Sequence, residues 1–192
     1  MYLFFDTETT GLPKNWNAPA EDLDNWPRII QFAFVLYNEN RNVIYESCEL
    51  IKPNGWTIPN EKFWIDNGYS TEKNEEKGVD IDEMLAMFQV CENNSKYRIA
   101  HNIAFDSKIV RAEFLRSYPN PPIFESKKIC TMREGTQFCN LPRMKWPKLE
   151  ELHYKLFSHG FENAHDALAD VKATAKCFFA MVDRGIIDLS KF

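Results

Sequence analysis

Nowhere in these 192 residues do two cysteines stand as a Cys-x-x-Cys pair. The five that occur, Cys48, Cys91, Cys130, Cys139 and Cys177, are scattered and odd in number. That usage argues against a zinc site or a disulfide framework and for reduced thiols in a cytoplasmic protein. No apolar run approaches the roughly 20 residues that a membrane span needs, and the first residues lack the layout of a secretory leader, so no membrane partner is expected. An excess of base is also missing. The 23 Lys and Arg against 28 Asp and Glu leave a net charge of −5, whereas proteins that grip long nucleic acid nonspecifically are usually basic. A site that holds only a chain end needs few phosphate contacts, so mild acidity does not exclude a nucleic-acid substrate. Repeats, low-complexity tracts and linkers are absent as well, and residues 1–192 are expected to form a single domain.

What is present is an ordinary globular composition, 44% hydrophobic and 27% charged, with 15 Phe predicting an aromatic-rich core. The charge is uneven. Lys127, Lys128, Arg133, Arg143, Lys145 and Lys148 face one acid, Glu134, in their stretch, while acids dominate from Glu21 to Glu92.

The order of elements reads as strands first. Tyr2–Phe5 is a short buried strand running into Asp6. Ile29–Tyr37 and Val43–Ile51 form a hairpin across the turn residues 38–42. Leu12–Pro27 is a long surface loop, and its Trp16 and Trp26 either stack on a nucleobase or pack the loop onto the domain. Pro59–Asn67 reads as a short helix closed by Gly68, and Glu72–Gly78 as an exposed polar segment. Asp80–Glu92 has a helical stripe of Met84, Leu85, Met87, Phe88 and Cys91, capped by Asp80 or Asp82. A strand at Tyr97–Ala100 leads through His101-Asn102 into a helix over Ala104–Arg116. Phe124–Cys130 holds the last strand, and a short helix lies near Thr131–Phe138. Helices at Leu149–Phe157 and from about Asp166 to Asp183 complete an α/β fold with helices packed on a mixed central sheet.

Asp6 and Glu8 are two apart on a strand, so their side chains share a face. Two adjacent carboxylates repel one another, and a divalent cation relieves this; hard oxygen donors of this kind suit Mg²⁺ or Mn²⁺. The same Asp-x-Glu also reads as a strand ending in a solvated acidic turn. Asp106 and Asp170 each fall in the first turns of a helix, where an acid also suits the helix dipole. His165 precedes Asp170 by five residues, about 140° around one helix. The two converge only if His165 sits before the helix and reaches over from the loop.

Three segments occur in a fixed order: Phe5-Asp6-Thr7-Glu8-Thr9-Thr10-Gly11-Leu12, then Ala100-His101-Asn102-Ile103-Ala104-Phe105-Asp106, then Asn163-Ala164-His165-Asp166-Ala167-Leu168-Ala169-Asp170. Together they resemble the three motifs of the DEDDh 3′→5′ exonucleases, the group containing the proofreading subunit of bacterial replicative DNA polymerase III. The likeness extends over nearly the whole chain, through Pro27–Ala33, Asn67–Thr71 and Leu149–Thr174. It implies an RNase H-like fold in which Asp6, Glu8, Asp106 and Asp170 hold two Mg²⁺ or Mn²⁺ ions and His165 is the general base. It also implies hydrolysis of the terminal phosphodiester of a single-stranded DNA or RNA 3′ end, with DNA slightly favoured, to give nucleoside 5′-monophosphates in DNA replication or repair. Thr9, Leu12, Asn67 and Asn102 are the substrate-binding candidates. Asn67 stands where many relatives carry histidine, and the loop Pro13–Trp26 is longer than in compact members; both bear on substrate choice.

The alternative within the class is an RNA-trimming or oligoribonuclease-type exoribonuclease. The alternative from another class is a non-catalytic nucleic-acid-binding or polymerase-interaction module, which predicts a damaged acid set. All four acids and His165 are present. A DNA polymerase stands as an open partner. The chain stops soon after its last helix, which favours a stand-alone enzyme or one recruited through its surface.

Overall fold

The computed structural model describes residues 1–162 and 166–192. Among these, five strands, β1 (Tyr2–Thr9), β2 (Ile29–Tyr37), β3 (Val43–Leu50), β4 (Tyr97–Ala100) and β5 (Lys127–Cys130), form one sheet in the order β3-β2-β1-β4-β5. The pairs β1–β2 and β2–β3 are antiparallel, while β1–β4 and β4–β5 are parallel. β1 therefore lies in the middle, and its unbroken apolar run is what a strand covered on both faces requires. Leu3 and Phe5 join Phe32, Phe34, Phe88 and Phe114 on one face. Phe4 joins Ala33, Val35, Ile99 and Phe178 on the other.

The helices α3 (Ile81–Asn93) and α4 (Ile103–Ser117) cover the first face, and α7 (Leu149–Phe157) and α8 (Ala167–Asp183) the second. This is the mixed α/β architecture expected from the sequence. Fully burying each Phe or Leu contributes roughly 1.5–3 kcal/mol, so the aromatic layers on both faces hold β1 firmly. Asp80 caps α3 by accepting from the Asp82 amide at 2.9 Å. Met87, expected in the α3 stripe, is instead partly exposed, and Cys91 closes the buried side.

Between the hairpin and α3 stand two short helices, α1 (Lys62–Asp66) and α2 (Thr71–Lys77). α1 ends in a Schellman turn. The Gly68 amide donates to Ile65 O at 2.9 Å and the Tyr69 amide to Trp64 O at 2.8 Å, with Gly68 at φ 74°. α2 keeps Glu72, Glu75, Glu76 and Lys77 exposed, as expected of this polar segment, with Asn74 as the exception. Ser70 caps it, and Asn74 on its inner face is fully buried. The Asn74 amide donates to the carbonyls of Ile30 (2.8 Å) and Ile51 (3.0 Å), which ties α2 to the ends of β2 and β3.

The long loop before β2 is held by α4. Lys108 donates to the carbonyls of Trp16 and Ala18, and Arg116 to those of Leu23 and Trp26. Asn15 and Asn25 exchange amide bonds across it. Trp26 is buried with its indole N–H on Pro19 O, so it packs the loop. Beyond β5 come the one-turn helices α5 (Thr131–Glu134) and α6 (Thr136–Cys139) and the basic loop that leads to α7.

Candidate active site

Side chains alternate along β1, so Asp6 and Glu8 continue the face of Phe4 and point toward α8, while Thr7 continues the face of Leu3 and Phe5 toward α4. β1 and β2 slip register between Glu8 and Thr9, a bulge at the end of the acid-bearing segment. Asp170 arrives from the first turn of α8 on the same side. Carboxylate oxygens of Asp6, Glu8 and Asp170 lie within 4.8 Å of one another. All three residues are half-buried. Burial first, then the charges of Asp106, Asp170, Glu8 and Asp166, push Asp6 well above the usual carboxylate range. Glu8 rises to about 8, chiefly through burial and then through Asp170, Asp106 and Asp166. Three crowded oxygen donors that resist ionising together are matched to a hard divalent cation.

Asp106 approaches from the opposite face. It is buried in the first turn of α4, and its Oδ1 accepts from the Thr7 hydroxyl at 2.8 Å and the Thr7 amide at 3.2 Å. Its pKa rises to about 7 through burial, with the Thr7 bonds acting in the opposite direction. The fourth acid is thus fastened to the strand residue between the first two. Asn102 makes the turn into α4 possible. It adopts the left-handed conformation (φ 70°, ψ 45°), which Asn tolerates, and its carbonyl accepts from the Phe105 amide.

α8 is positioned by residues that sequence reasoning did not single out. Gln31, opposite Glu8 in the β1–β2 ladder, accepts at Oε1 from the Tyr69 hydroxyl (2.7 Å) and the Ala167 amide (3.0 Å). Its amide donates to Asp166 Oδ2 at 3.2 Å, and Asp166 caps α8 by accepting from the Ala169 amide at 3.0 Å. One buried amide therefore joins β2, the turn after α1 and the start of the helix bearing Asp170. Nothing periodic in the sequence marks such a residue.

Residues 3–178 match the profile of the exonuclease family typified by RNase T. The chain belongs to this DEDDh exonuclease family, whose members depend on divalent metal. No curated protein sequence matches it. Among solved structures, Escherichia coli exonuclease I in complex with a dT13 oligonucleotide is similar at 23% identity and a TM-score of 0.71, over 95% of this chain and 40% of that one. The zinc-bound form of an E. coli exonuclease I–single-stranded DNA complex gives 24%, 0.73, 95% and 40%. Exonuclease X in complex with 5′-overhanging duplex DNA gives 20%, 0.64, 96% and 93%. These likenesses show the RNase H-like exonuclease fold. The chain spans about 40% of the length of exonuclease I.

Around the acids of this family member, the remaining candidates take distinct positions. His165 lies outside the described residues. The Thr9 hydroxyl donates to Gly11 O at 2.7 Å, and the Thr9 carbonyl accepts from the Trp64 indole at 3.1 Å, which pins α1 beside the end of β1. Leu12, just past it, is 73% exposed. Asn67 directs its amide to Phe63 O at 2.8 Å, so it closes α1 rather than presenting that donor outward. Trp16 is exposed and leans on Phe105, the neighbour of Asp106, at 5.6 Å between ring centres.

Proposed function

We propose that the chain is a metal-dependent 3′→5′ exonuclease that removes nucleoside 5′-monophosphates from single-stranded ends, DNA in preference to RNA, with residues 1–192 as one catalytic unit. The observation that carries this reading is the meeting of Asp6, Glu8 and Asp170 oxygens within 4.8 Å, with Asp106 locked behind them on Thr7. The donor set fits a hard divalent ion, Mg²⁺ or Mn²⁺, and four carboxylates provide enough oxygens for two. When bound, such ions supply electrostatic stabilisation of the charge that develops on the phosphoryl, attacking and leaving oxygens.

The chain's own residues do the rest. The register shift between β1 and β2 and the Thr9–Trp64 bond shape the end of the cleft that receives the terminal nucleotide, and exposed Leu12 wedges against its base. Asp106 is kept in one rotamer by Thr7. His165, one residue before the α8 cap Asp166, takes the proton from the attacking water. An imidazole with an ordinary pKa near ~6.5 suits that task at neutral pH. The relatives solved with single-stranded or overhanging DNA support the preference for DNA ends. Five unpaired cysteines, four of them buried, support a reducing, cytoplasmic setting. Recruitment by a DNA polymerase would be a separate property, read by co-sedimentation.

The test is product analysis on end-labelled DNA and RNA oligonucleotides with Mg²⁺ or Mn²⁺. Stepwise shortening from the 3′ end with release of 5′-monophosphates is expected, faster on DNA. Absence of shortening on every substrate, or turnover that persists in excess chelator, overturns the reading.

A further inference from the structure

On the α4 face of the sheet, at its β5 edge, lies a cleft of about 680 Å³. Arg98 and Lys128 are directly paired across β4 and β5, so they point to the same side and form its floor. Ser107 and Arg111, one turn apart on α4, form a wall, and Arg133 stands at the rim. Glu134 is the one acid among the residues that line it. In a chain of net charge −5 this is a strong local excess of base.

Arg98 is the unusual member. It is 2% exposed, and its guanidinium lies 4.5 Å over the Phe124 ring. The Glu92 carboxylate is 3.6 Å away and already accepts from the Ser126 amide and hydroxyl. Nε and Nη1 of Arg98, and Oγ of Ser107, have no hydrogen-bond partner among the described residues. Glu92 balances the Arg98 charge, but buried donors without an acceptor in hydrogen-bond reach are costly, and an anion brought to the cleft above them offsets that cost. Burial lowers the pKa of Lys128, and the nearby Arg98 charge lowers it further. Lys108 also lines the cleft, but its ammonium is taken up by Trp16 and Ala18 carbonyls. Arg111 donates to Pro122 O at 2.7 Å through Nη1 and keeps its other donors.

The acids do not line the cleft, but α4 links the two. Ile103 and Ala104 line its upper end, and Asp106 follows in the same turn of α4. At 1.5 Å per residue, Arg111 lies about 7.5 Å farther down the helix axis than Asp106. A strand with its end among the acids can cross the carboxyl ends of β1 and β4 and continue along this wall.

We propose that the cleft is a second nucleic-acid contact, taking backbone phosphates of the strand whose 3′ end is held among Asp6, Glu8 and Asp170. Lys128, Arg111 and Arg133 bond the phosphates, and Arg98 is the fixed charge beneath them. The inference rests on the function proposed above, and its test is read without turnover. Fluorescence anisotropy of a 5′-labelled oligothymidylate is followed over a salt series in excess chelator. The wild-type chain is compared with the double variant Lys128→Gln/Arg133→Gln, both of whose side chains are exposed. The slope of log affinity against log salt is expected to fall by about 1.4, since each single-strand phosphate contact contributes about 0.7. In Mg²⁺, the ratio of KM on a long strand to KM on a dinucleotide is expected to rise roughly tenfold, the effect of two lost phosphate contacts. Equal slopes, or no strand binding by the wild-type chain, overturn the proposal. Competition by free thymidine 5′-monophosphate as strong as by the strand does so too, because it assigns the cleft to the product. A wild-type chain that binds strands with the expected slope but hydrolyses nothing sinks the exonuclease reading instead.

Discussion

The Tyr69 hydroxyl donates to Gln31 Oε1 at 2.7 Å, and that oxygen also accepts from the amide that opens the helix bearing Asp170. The turn that closes α1 and the start of α8 are therefore held through one side chain, 38 residues from the first and 136 from the second. Gln31→Ala removes the oxygen that accepts from Tyr69 and leaves the buried Ala167 amide without that acceptor. A buried donor stripped of its acceptor costs about 1–3 kcal/mol. We expect denaturant unfolding to show a loss in that range and kcat to fall by at least tenfold as α8 loosens. Tyr69→Phe removes the bond to Gln31 together with its donor and is expected to cost about 1 kcal/mol. A Gln31→Ala chain with unchanged stability and kcat would remove this amide from the positioning of Asp170.

The crowded acids make metal-free stability depend on pH. Glu8 titrates at about 8 in the folded chain against about 4.5 unfolded, and Asp6 is also raised, so the folded state keeps protons that the unfolded state has released. The contribution of these groups is greatest below about pH 4.5 and is lost as pH rises toward 8. In chelator, unfolding free energy is expected to fall between pH 5 and pH 8, with Mg²⁺ restoring it at the upper end. Asp6→Asn is expected to flatten the metal-free slope and abolish nucleotide release. A slope of the opposite sign in chelator would mean that the three carboxylates do not burden one another.

The difference in how legible these two features are has a physical cause. Asp6, Glu8, Asp106 and Asp170 lie in short segments whose chemistry is local, and strand alternation alone puts the first two on one face. The central strand, the hairpin and α8 follow from apolar periodicity. Gln31 and Asn74 each work through several long-range side-chain amide bonds, which leave no period in the sequence, and Asn74 in particular anchors an otherwise exposed polar helix. In the sequence Trp26 leans toward packing the loop, and Trp16 is left between packing and base stacking. The bonds from Lys108 and Arg116 that fold the loop decide that only Trp26 goes inside.

His101 fastens the basic loop before α7. Its Nε2 lies 3.0 Å from Pro147 O, a carbonyl that only accepts, so that nitrogen carries the proton, and Nδ1 faces the Thr131 hydroxyl at 3.0 Å. Burial lowers the ring to about 4 from 6.5. A depressed histidine is neutral when folded and charges on unfolding, so its contribution is present above pH 6.5 and is lost as pH falls toward 4. His101→Ala is expected to remove that pH dependence and to speed tryptic cleavage at Arg143 and Lys145, which are exposed in the released loop. Cleavage at the wild-type rate would show that the loop is held by other contacts.

Leu12 separates substrate effects from stability effects. It is 73% exposed and follows Gly11 directly after the acid-bearing strand. Substitutions at such exposed positions usually change stability by less than about 0.5 kcal/mol. Leu12→Ala is therefore expected to leave the unfolding midpoint in place. If Leu12 stacks against the terminal base, the lost contact should raise KM for single-stranded ends by about fivefold, the effect of roughly 1 kcal/mol of apolar contact. The change should appear in KM more than in kcat, because a wedge that touches the base equally in ground and transition states provides uniform binding. Steady-state kinetics on oligothymidylate with Mg²⁺ would decide it. An unchanged KM alongside an unchanged midpoint would place Leu12 outside the substrate path and shift the wedge to Trp16, the other exposed apolar side chain beside the Asp106 turn.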